Sequence, residues 1–261
     1  MADKFYNPCE PRAAKVNDLF AAIARRYDLI NDLQSFGLHR AWKRRLVRLA
    51  KVRPGERALD LCCGTGDIAF TLGRRGASVV GLDFSEPMLA VAESRRQKLE
   101  GGERMPGAGQ ADGKARNPQF VRGDAQRIPF PDDAFDIVTV GYGLRNLADW
   151  EAGLREMQRV AKPGGRLLVL DFGKPDNAFG RGIYFGYLKF CVPVLGRIFC
   201  GNAAAYAYIL ESLAPYPAQR GVAEKMRVIG LNYVKIINLL GGTMSIHYGE
   251  KSGATRAPDE I

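Results

Sequence analysis

A chain of 261 residues with 46% hydrophobic and 25% charged residues can bury a substantial core and has the composition of an ordinary globular protein. No apolar run reaches the roughly 18 residues of a membrane span, and the first residues lack the plan of a signal peptide. The five cysteines are irregularly spaced, which favours a reducing compartment and predicts no metal site. With only two histidines, the chain offers few candidates for histidine chemistry. The net charge of +10 leaves nucleic-acid and anionic-membrane partners open.

Residues 1–53 predict a helical cap that ends in a basic helix. The segment from residue 39 to residue 53 contains no acidic residue. Trp42, Leu46 and Leu49 recur in it at helical spacing, which indicates an amphipathic helix with a basic face. That face is either solvated or in contact with a membrane surface or a nucleic acid, and the charge alone does not decide between them.

Residues 54–175 alternate between strand and helix patterns, as repeated βαβ units do. Apolar runs predict strands at residues 58–62, 78–82, 119–122, 135–140 and 166–172, with helices at 67–74, 86–99 and 149–160. Residues 101–117 are rich in Gly, Ala and charge without periodicity, so they predict a mobile insertion. A single α/β domain with a mostly parallel sheet is therefore expected.

The pattern changes after residue 175. Residues 176–214 are aromatic and apolar, which is typical either of helices packed over a sheet or of a helical lid above a substrate. Residues 215–249 predict a helix and then an antiparallel hairpin that turns at Gly241-Gly242. With the hairpin the expected sheet has seven strands, and residues 250–261 read as a polar tail.

The most informative stretch is residues 57–67, Arg-Ala-Leu-Asp-Leu-Cys-Cys-Gly-Thr-Gly-Asp. It predicts a buried strand that enters a helix through a glycine-rich turn, where α/β proteins hold nucleotide-like ligands. Gly64 and Gly66 would let backbone amides approach such a ligand. Asp83, at the end of the second strand, would accept hydrogen bonds from ribose hydroxyls, and Asp124, after the third strand, would accept one from an adenine amino group.

The same loop also fits the dinucleotide fingerprint, so a hydride-transfer enzyme is the first alternative. Asp60 and Asp67 flank the loop and would repel a pyrophosphate, whereas a ligand that carries an ammonium and a sulfonium would tolerate them. The sheet also ends in a hairpin rather than in a second mononucleotide-binding half. S-adenosylmethionine therefore suits the pattern better than a nicotinamide cofactor.

With these motifs the chain resembles the ubiquinone/menaquinone biosynthesis C-methyltransferases, the UbiE/MenG family. The resemblance lies in residues 27–31 with Ser35, His39 and Trp42, and in residues 59–67, 141–146, 159–171 and 206–212. It implies the class I S-adenosylmethionine-dependent methyltransferase fold, which is Rossmann-like, and methyl transfer to a ring carbon of a prenylated hydroquinone. Departures at Gln34, Ala161, Asp171 and Gly173 leave open whether that ring is a naphthoquinol or a benzoquinol.

The resemblance also implies roles for individual residues. The expected cofactor contacts are Thr65, Asp83, Asp124, Ala125 and Gly141, to which the loop itself adds Asp60, Gly64 and Gly66. Arg145 would stabilise a phenolate or hold a water that takes the proton, and Asn146 would orient a ring oxygen. Tyr27, Asp28 and His39 are the second candidates for catalysis, and His39 is the only base in the neutral range among them. Tyr27, Tyr184 and Tyr208 are the expected substrate contacts.

Two rival classes remain. A nucleic-acid methyltransferase would carry Asn/Asp-Pro-Pro-aromatic or Pro-Cys after strand four, where this chain has Gly-Tyr-Gly-Leu-Arg-Asn, so no nucleic acid is expected. A non-enzymatic S-adenosylmethionine-binding module would not need Arg145 and Asn146. The expected partners are a lipid-soluble prenylated quinol, a membrane surface contacted peripherally and a second copy of the chain. The expected location is the cytoplasm, at the inner face of the membrane.

Overall fold

The computed structural model describes residues 31–32, 35–101, 116–194 and 204–253, with the backbone alone for residues 204–208. One seven-stranded sheet lies at its centre, in the order β3-β2-β1-β4-β5-β7-β6. The strands are β1 (Arg57–Leu61), β2 (Ser78–Asp83), β3 (Gln119–Arg122), β4 (Phe135–Gly141), β5 (Ala161–Phe172), β6 (Leu231–Leu239) and β7 (Met244–Lys251). Strands β1 to β5 are parallel, and β7 is antiparallel to both β5 and β6. The predicted fold, with its terminal antiparallel hairpin, is confirmed.

Helices cover both faces of this sheet. They are α1 (Leu38–Leu49), α2 (Asp67–Arg74), α3 (Glu86–Glu100), α4 (Trp150–Val160), α5 (Ala178–Gly186), α6 (Ala204–Leu213) and α7 (Ala218–Val228), and a π-helical segment, Tyr187–Cys191, continues α5. Asp149 caps α4, because its side chain accepts a hydrogen bond from the Ala152 amide at 2.9 Å. Asn177 caps α5 in the same way.

Strand β5 begins five residues earlier than predicted. Phe135 pairs with Ala161, but the next pair is Ile137 with Arg166, so residues 162–165 form a bulge within the strand. Pro163 has no amide to donate, and Gly164 has a φ of 73°. The predicted turn is therefore present, but as a bulge inside the strand.

The alternation of side chains along the central strands produces two hydrophobic clusters, one on each face of the sheet. In β5, Leu167 and Val169 belong to one cluster, and Leu168 and Leu170 belong to the other. All four are fully buried, as expected for a parallel sheet covered on both faces.

Helix α1 runs in the direction opposite to the parallel strands. Arg166, near the start of the long straight part of β5, donates to the carbonyl of Ala50 at 2.5 Å and to that of Lys51 at 2.7 Å, which satisfies the end of the helix. In the first half of the helix, Lys43 donates to Asp67 at 2.8 Å. Asp67 begins α2, beyond the carboxyl end of β1. The start of α1, with His39, therefore lies at the carboxyl edge of the sheet.

Several sequence predictions fall outside the described residues. These are Tyr27, Asp28, the helical pattern near residue 20, most of the insertion at residues 101–117, the side chain of Tyr208 and most of the tail. Within the described residues, no helix is long and apolar enough to cross a membrane.

Candidate active site

An open cavity lies at the carboxyl edge of the parallel strands, where ligands bind in open α/β sheets. Its walls come from the residues that follow β1, β2, β3 and β4. They are Cys62, Gly64, Asp83, Phe84, Ser85, Met88, Gly123, Asp124, Ala125, Gln126, Gly141, Tyr142, Gly143, Asn146, Leu147 and Ala148. Six of the predicted site residues, Gly64, Asp83, Asp124, Ala125, Gly141 and Asn146, lie in this wall.

The glycine-rich turn passes close to the cavity because two of its residues adopt left-handed backbone conformations. Gly64 has a φ of 55°, and a Cβ there would lie 3.2 Å from Met88 Cε. Gly66 has a φ of 87°, and a Cβ there would lie 2.8 Å from the rings of Phe70 and Phe120. Gly64 therefore opens the wall toward the ligand, whereas Gly66 lets the turn pack on the aromatic rings. Thr65, between them, is buried.

Asp83 is held in place by backbone amides. Its carboxylate accepts from Gly64 N at 2.7 Å and from Ser85 N at 2.9 Å. Burial raises its pKa, and the amide hydrogen bonds oppose that rise. Each carboxylate oxygen keeps capacity for a further donor, so the group can still receive ribose hydroxyls. Asp124 is exposed on the same rim and accepts from the Gln126 amide at 2.8 Å.

Asp60 does not line the cavity. It is 1% exposed beneath the turn, where it accepts from the Thr139 hydroxyl at 2.7 Å and from the Ala69 amide at 3.1 Å. Burial raises its pKa to about 7, against the hydrogen bond from Thr139. Asp60 thus ties the turn to β4 and α2 from beneath.

Asp67, the second flanking carboxylate, is ion-paired. Lys43 lies 2.8 Å from one of its oxygens and Arg95 lies 3.0 Å from the other. Burial would raise the pKa of Asp67, but the charge and hydrogen bond of Lys43, together with the charge of Arg95, lower it to about 2. Asp67 thus carries a paired rather than a free charge beside the turn, and Asp60 lies beneath the turn rather than in the cavity wall; the repulsion of a pyrophosphate by the two carboxylates stays a prediction.

Asn146 closes the end of the cavity beyond β4. It sits in a short 3-10 turn, Leu144–Asn146, and its amide nitrogen donates to the Tyr142 carbonyl at 3.2 Å. Its Oδ1 is buried in the cavity wall and has no hydrogen-bond partner among the described residues. A buried acceptor of this kind can receive a hydrogen bond from a water or from a ligand.

Arg145 points away from the cavity and is 2% exposed. Its guanidinium donates to Asp171 at 2.7 Å, to the Tyr142 carbonyl at 2.7 Å and to the Ser212 hydroxyl at 3.3 Å. Asp171 is fully buried and also accepts the Arg145 amide at 3.1 Å. Arg145 therefore joins the turn that carries Asn146 to β5 and to α6, and the structure does not bring it into contact with the cavity.

His39 is 2% exposed at the start of α1 and is not part of the cavity wall. Its Nδ1 lies 3.0 Å from Ser35 Oγ, whose own hydrogen points to the Asn31 carbonyl at 2.5 Å. Nδ1 therefore carries the proton, which leaves Nε2 as an acceptor with no partner among the described residues. Burial, with a smaller effect of Lys43, lowers its pKa to about 4, so the ring is neutral at neutral pH.

Tyr184, on α5, also lies outside the cavity wall; its hydroxyl donates to the Thr243 carbonyl at 3.3 Å. The sequence did not single out Phe84, Ser85, Met88, Cys62, Gln126 or Leu147 as site residues, although the structure places them in the wall. All but Ser85 and Met88 directly follow a strand or another predicted site residue. The convergence of strand carboxyl ends was therefore a signal that could have identified them.

The comparisons with known proteins agree with this geometry. The family model described as "ubiE/COQ5 methyltransferase family" matches residues 9–251. The chain belongs to the ubiE/COQ5 methyltransferase family. The "Ubiquinone/menaquinone biosynthesis C-methyltransferase UbiE" of Ectopseudomonas mendocina is 41% identical over 94% of this chain and 91% of that protein. The "Demethylmenaquinone methyltransferase" of Desulfitobacterium hafniense is 39% identical over 92% of this chain and 91% of that protein.

Solved structures show the same fold. The magnesium protoporphyrin IX methyltransferase of Synechocystis PCC 6803, with bound SAH, aligns with a TM-score of 0.62 at 18% identity, over 92% of this chain and 99% of its own. A SAM-dependent methyltransferase from Aquifex aeolicus aligns with a TM-score of 0.55 at 17% identity, over 80% of this chain and 89% of its own. The class I methyltransferase fold is confirmed.

This chain is therefore an S-adenosylmethionine-dependent methyltransferase, as the sequence predicts. The residues present fit that cofactor: the amide-held carboxylate of Asp83 ends β2, the exposed carboxylate of Asp124 follows β3, and the buried hydroxyl of Ser85 has no partner among the described residues. The described residues contain no group of three His, Cys, Asp or Glu side chains that could hold a metal ion.

Proposed function

We propose that this methyltransferase methylates a ring carbon of a prenylated hydroquinone, and that demethylmenaquinol is its substrate. The observation that carries the proposal is the match, over more than nine-tenths of the chain, to relatives named for quinone C-methylation, one of them a demethylmenaquinone methyltransferase. The alternative is the benzoquinol step of ubiquinone synthesis, because other relatives are named for both quinones.

S-adenosylmethionine supplies an electrophilic methyl group on a sulfonium. Thr65, Asp83, Asp124, Ala125 and Gly141 are the residues we propose to hold it, because all but Thr65 line the cavity. In the reaction the ring loses a phenolic proton, the ring carbon beside that oxygen forms a bond to the methyl carbon, and the carbon–sulfur bond breaks. The hydrogen on that ring carbon then leaves as a proton and the oxygen regains one, which restores the aromatic ring with the net release of one proton. The protein must position the ring in line and receive one proton.

We assign the positioning of the ring to Asn146. Its unpartnered Oδ1 can accept a hydrogen bond from a ring hydroxyl, and its amide is fixed by the Tyr142 carbonyl. Arg145 acts through Asn146: the ion pair with Asp171 and the bond to the Tyr142 carbonyl hold the turn in one conformation. A guanidinium does not lose its proton in a protein, so Arg145 is not the base.

We assign the receipt of the proton to the carboxyl edge near His39. Its Nε2 is an unprotonated, buried acceptor on the same edge of the sheet as the cavity. A pKa of about 4 makes it a weak base, so its role is to accept a hydrogen bond from the hydroxyl, and the proton leaves through the water of the open cavity.

Methyl transfer can be tested with labelled S-adenosylmethionine and two acceptors, demethylmenaquinol and a benzoquinol precursor of ubiquinone, both kept reduced. Product mass spectrometry should show one added methyl on a ring carbon of the naphthoquinol. The Asn146→Ala variant should lose most of kcat while S-adenosylhomocysteine binding stays within about threefold, and Asn232→Ala, on the exposed part of β6, is the matched control. Transfer to neither quinol would refute the proposal.

We further propose that the protein works in the cytoplasm, at the inner face of the membrane that contains its substrate. The outer face of α5 and of the segment after it exposes Phe179, Ile183, Phe190 and Val194, each more than half exposed. These residues recur at helical spacing, and the exposed Arg181 and Lys189 flank them. An apolar stripe with basic neighbours is suited to an anionic lipid surface.

Sedimentation with anionic and with neutral vesicles tests this face. Anionic vesicles should retain the wild-type protein, and a Phe179→Ser/Ile183→Ser double variant should stay in the supernatant. Equal behaviour of the two proteins would refute membrane contact through this stripe. Self-association that disappears in the double variant, without vesicle binding, would make a second copy of the chain the occupant instead.

A further inference from the structure

Ser85 carries a buried hydroxyl that the fold itself does not use. The residue follows the amide-held Asp83 by two positions, lies in the cavity wall and is 4% exposed. Its Oγ has no hydrogen-bond partner among the described residues. Buried hydroxyls are usually satisfied, so this one needs an explanation.

The expected explanation, a helix cap, does not apply. Ser85 occupies the N-cap position of α3, where a serine hydroxyl normally accepts an amide of the first turn. The structure has no such bond. Pro87, in the first turn, has no amide hydrogen to offer, and the Ser85 amide itself donates to Asp83 at 2.9 Å. The hydroxyl is therefore left without a partner in the wall of the cavity.

We propose that the Ser85 hydroxyl donates a hydrogen bond to the ribose side of the adenosine in S-adenosylmethionine. Asp83, its neighbour, is an acceptor when ionised and can receive ribose hydroxyl hydrogens but cannot supply one. The ribose side of adenosine also presents acceptors, the 2′ oxygen and the ring nitrogen N3. Ser85 is the donor that complements Asp83 at this end of the cavity, because both residues come from the end of β2 and line the same wall.

This inference rests on the use of S-adenosylmethionine, which family membership shows, and not on the quinol substrate. It also predicts a change in stability that differs from the change expected for a structural role. Removal of an unpartnered buried hydroxyl leaves the free protein as stable as before or more stable, because no bond is lost and a desolvated polar group disappears. The loss should be seen only in the complex.

The test measures S-adenosylhomocysteine binding by calorimetry and thermal unfolding of the free protein. Ser85→Ala should weaken binding roughly 5- to 20-fold, which is the range of one buried hydrogen bond, while the melting temperature of the free protein stays within about 2 °C or rises. Ser85→Thr, which keeps the hydroxyl, should retain most of the affinity. Ser78→Ala, at the exposed start of β2, is the matched control and should change neither quantity.

Two analogues identify the acceptor. If the hydroxyl donates to N3, Ser85→Ala and wild type should bind 3-deaza-S-adenosylhomocysteine equally; if it donates to the 2′ oxygen, they should bind the 2′-deoxy analogue equally. Either result supports the proposal. Unchanged affinity of Ser85→Ala for S-adenosylhomocysteine would overturn it, and so would a lower melting temperature of the free protein with unchanged binding, because that pattern belongs to a helix cap. A Ser85→Ala penalty that persists undiminished with both analogues would overturn the assignment to the ribose side.

Discussion

Replacement of Arg145 by methionine distinguishes a residue that holds the site in place from one that contacts the reacting ring. In wild type the guanidinium pairs with Asp171, and the two side chains are 1% and 0% exposed. The substitution would leave the Asp171 carboxylate buried with two amide donors, from Arg145 and Phe172, but with no cation. Breaking a buried pair in this way costs about 3–5 kcal/mol of stability.

A loss of that size is large against the total stability of a domain. For a chain of this length it corresponds to a fall in melting temperature of roughly 6–20 °C. The double variant Arg145→Met/Asp171→Asn removes both charges and keeps one acceptor oxygen, which serves one of the two amides because these bond to different oxygens of Asp171. It should therefore recover about 2 kcal/mol or more relative to the single variant, a coupling that a double-mutant cycle of urea unfolding measures directly.

Turnover then decides the role of the residue. If Arg145 holds the turn that carries Asn146, methyl transfer should be largely lost in the single variant and partly restored with stability in the double variant. A single variant that unfolds within about 1 kcal/mol of wild type and yet has no turnover would refute this reasoning, because a buried pair cannot be broken so cheaply. Arg145 would then contact the ring, as the sequence predicts.

Two further predictions concern His39, near the site, and Gly143, in the cavity wall. Burial lowers the pKa of His39 to about 4 from an unfolded value of 6.5, so the unfolded chain binds the proton first as the pH falls. The free energy of unfolding should therefore drop by roughly 2–3 kcal/mol between pH 6.5 and pH 4. In urea unfolding, His39→Gln should show a smaller drop than wild type. An equal dependence of stability on pH in the two proteins would contradict a buried neutral ring. A Cβ at Gly143 would lie 2.3 Å from Cys62 Cβ, so Gly143→Ala should cost about 1–3 kcal/mol in thermal unfolding. Gly180→Ala, where nothing lies within 4 Å, is its control, and equal effects of the two would exclude overpacking as the cause.

Most of the fold could be predicted from the sequence, because local patterns determine it. The strands at the centre of the sheet are short apolar runs separated by helices of the correct length, and a parallel sheet built from such units has few possible topologies. The cofactor end of the cavity was also predictable. Asp83, Asp124 and Gly141 each stand at or just after the carboxyl end of a strand, and those ends converge in any such sheet.

The direction and the partners of individual side chains could not be predicted in this way. Asp60 and Arg145 stand at the expected edge of the sheet, but one turns under the loop and the other turns toward Asp171, 26 residues further along the chain. The third partner of Arg145, Ser212, comes from α6, which no local pattern connects to β4. Sequence position thus gave the edge of the sheet on which a residue lies, and only tertiary contacts gave the group that its side chain meets.

Tertiary contacts also show why the glycine-rich turn suits a sulfonium cofactor better than a dinucleotide. Asp67 occupies Lys43 and Arg95, the two cations beside the start of α2, and these would otherwise attract a phosphate to that helix end. Asp67→Asn should leave both cations without their carboxylate, although Arg95 still donates to the Thr65 carbonyl. The variant should lower stability by roughly 2 kcal/mol at neutral pH and make the turn accessible to anions. ADP and pyrophosphate should then compete with S-adenosylhomocysteine in the variant but not in wild type. Asp133→Asn, which breaks an ion pair with Lys251 away from the cavity, is the control. Equal competition in wild type and in the Asp67 variant would show that the ion pair does not exclude phosphate, and selection would then rest with Asp83 and Asp124 alone.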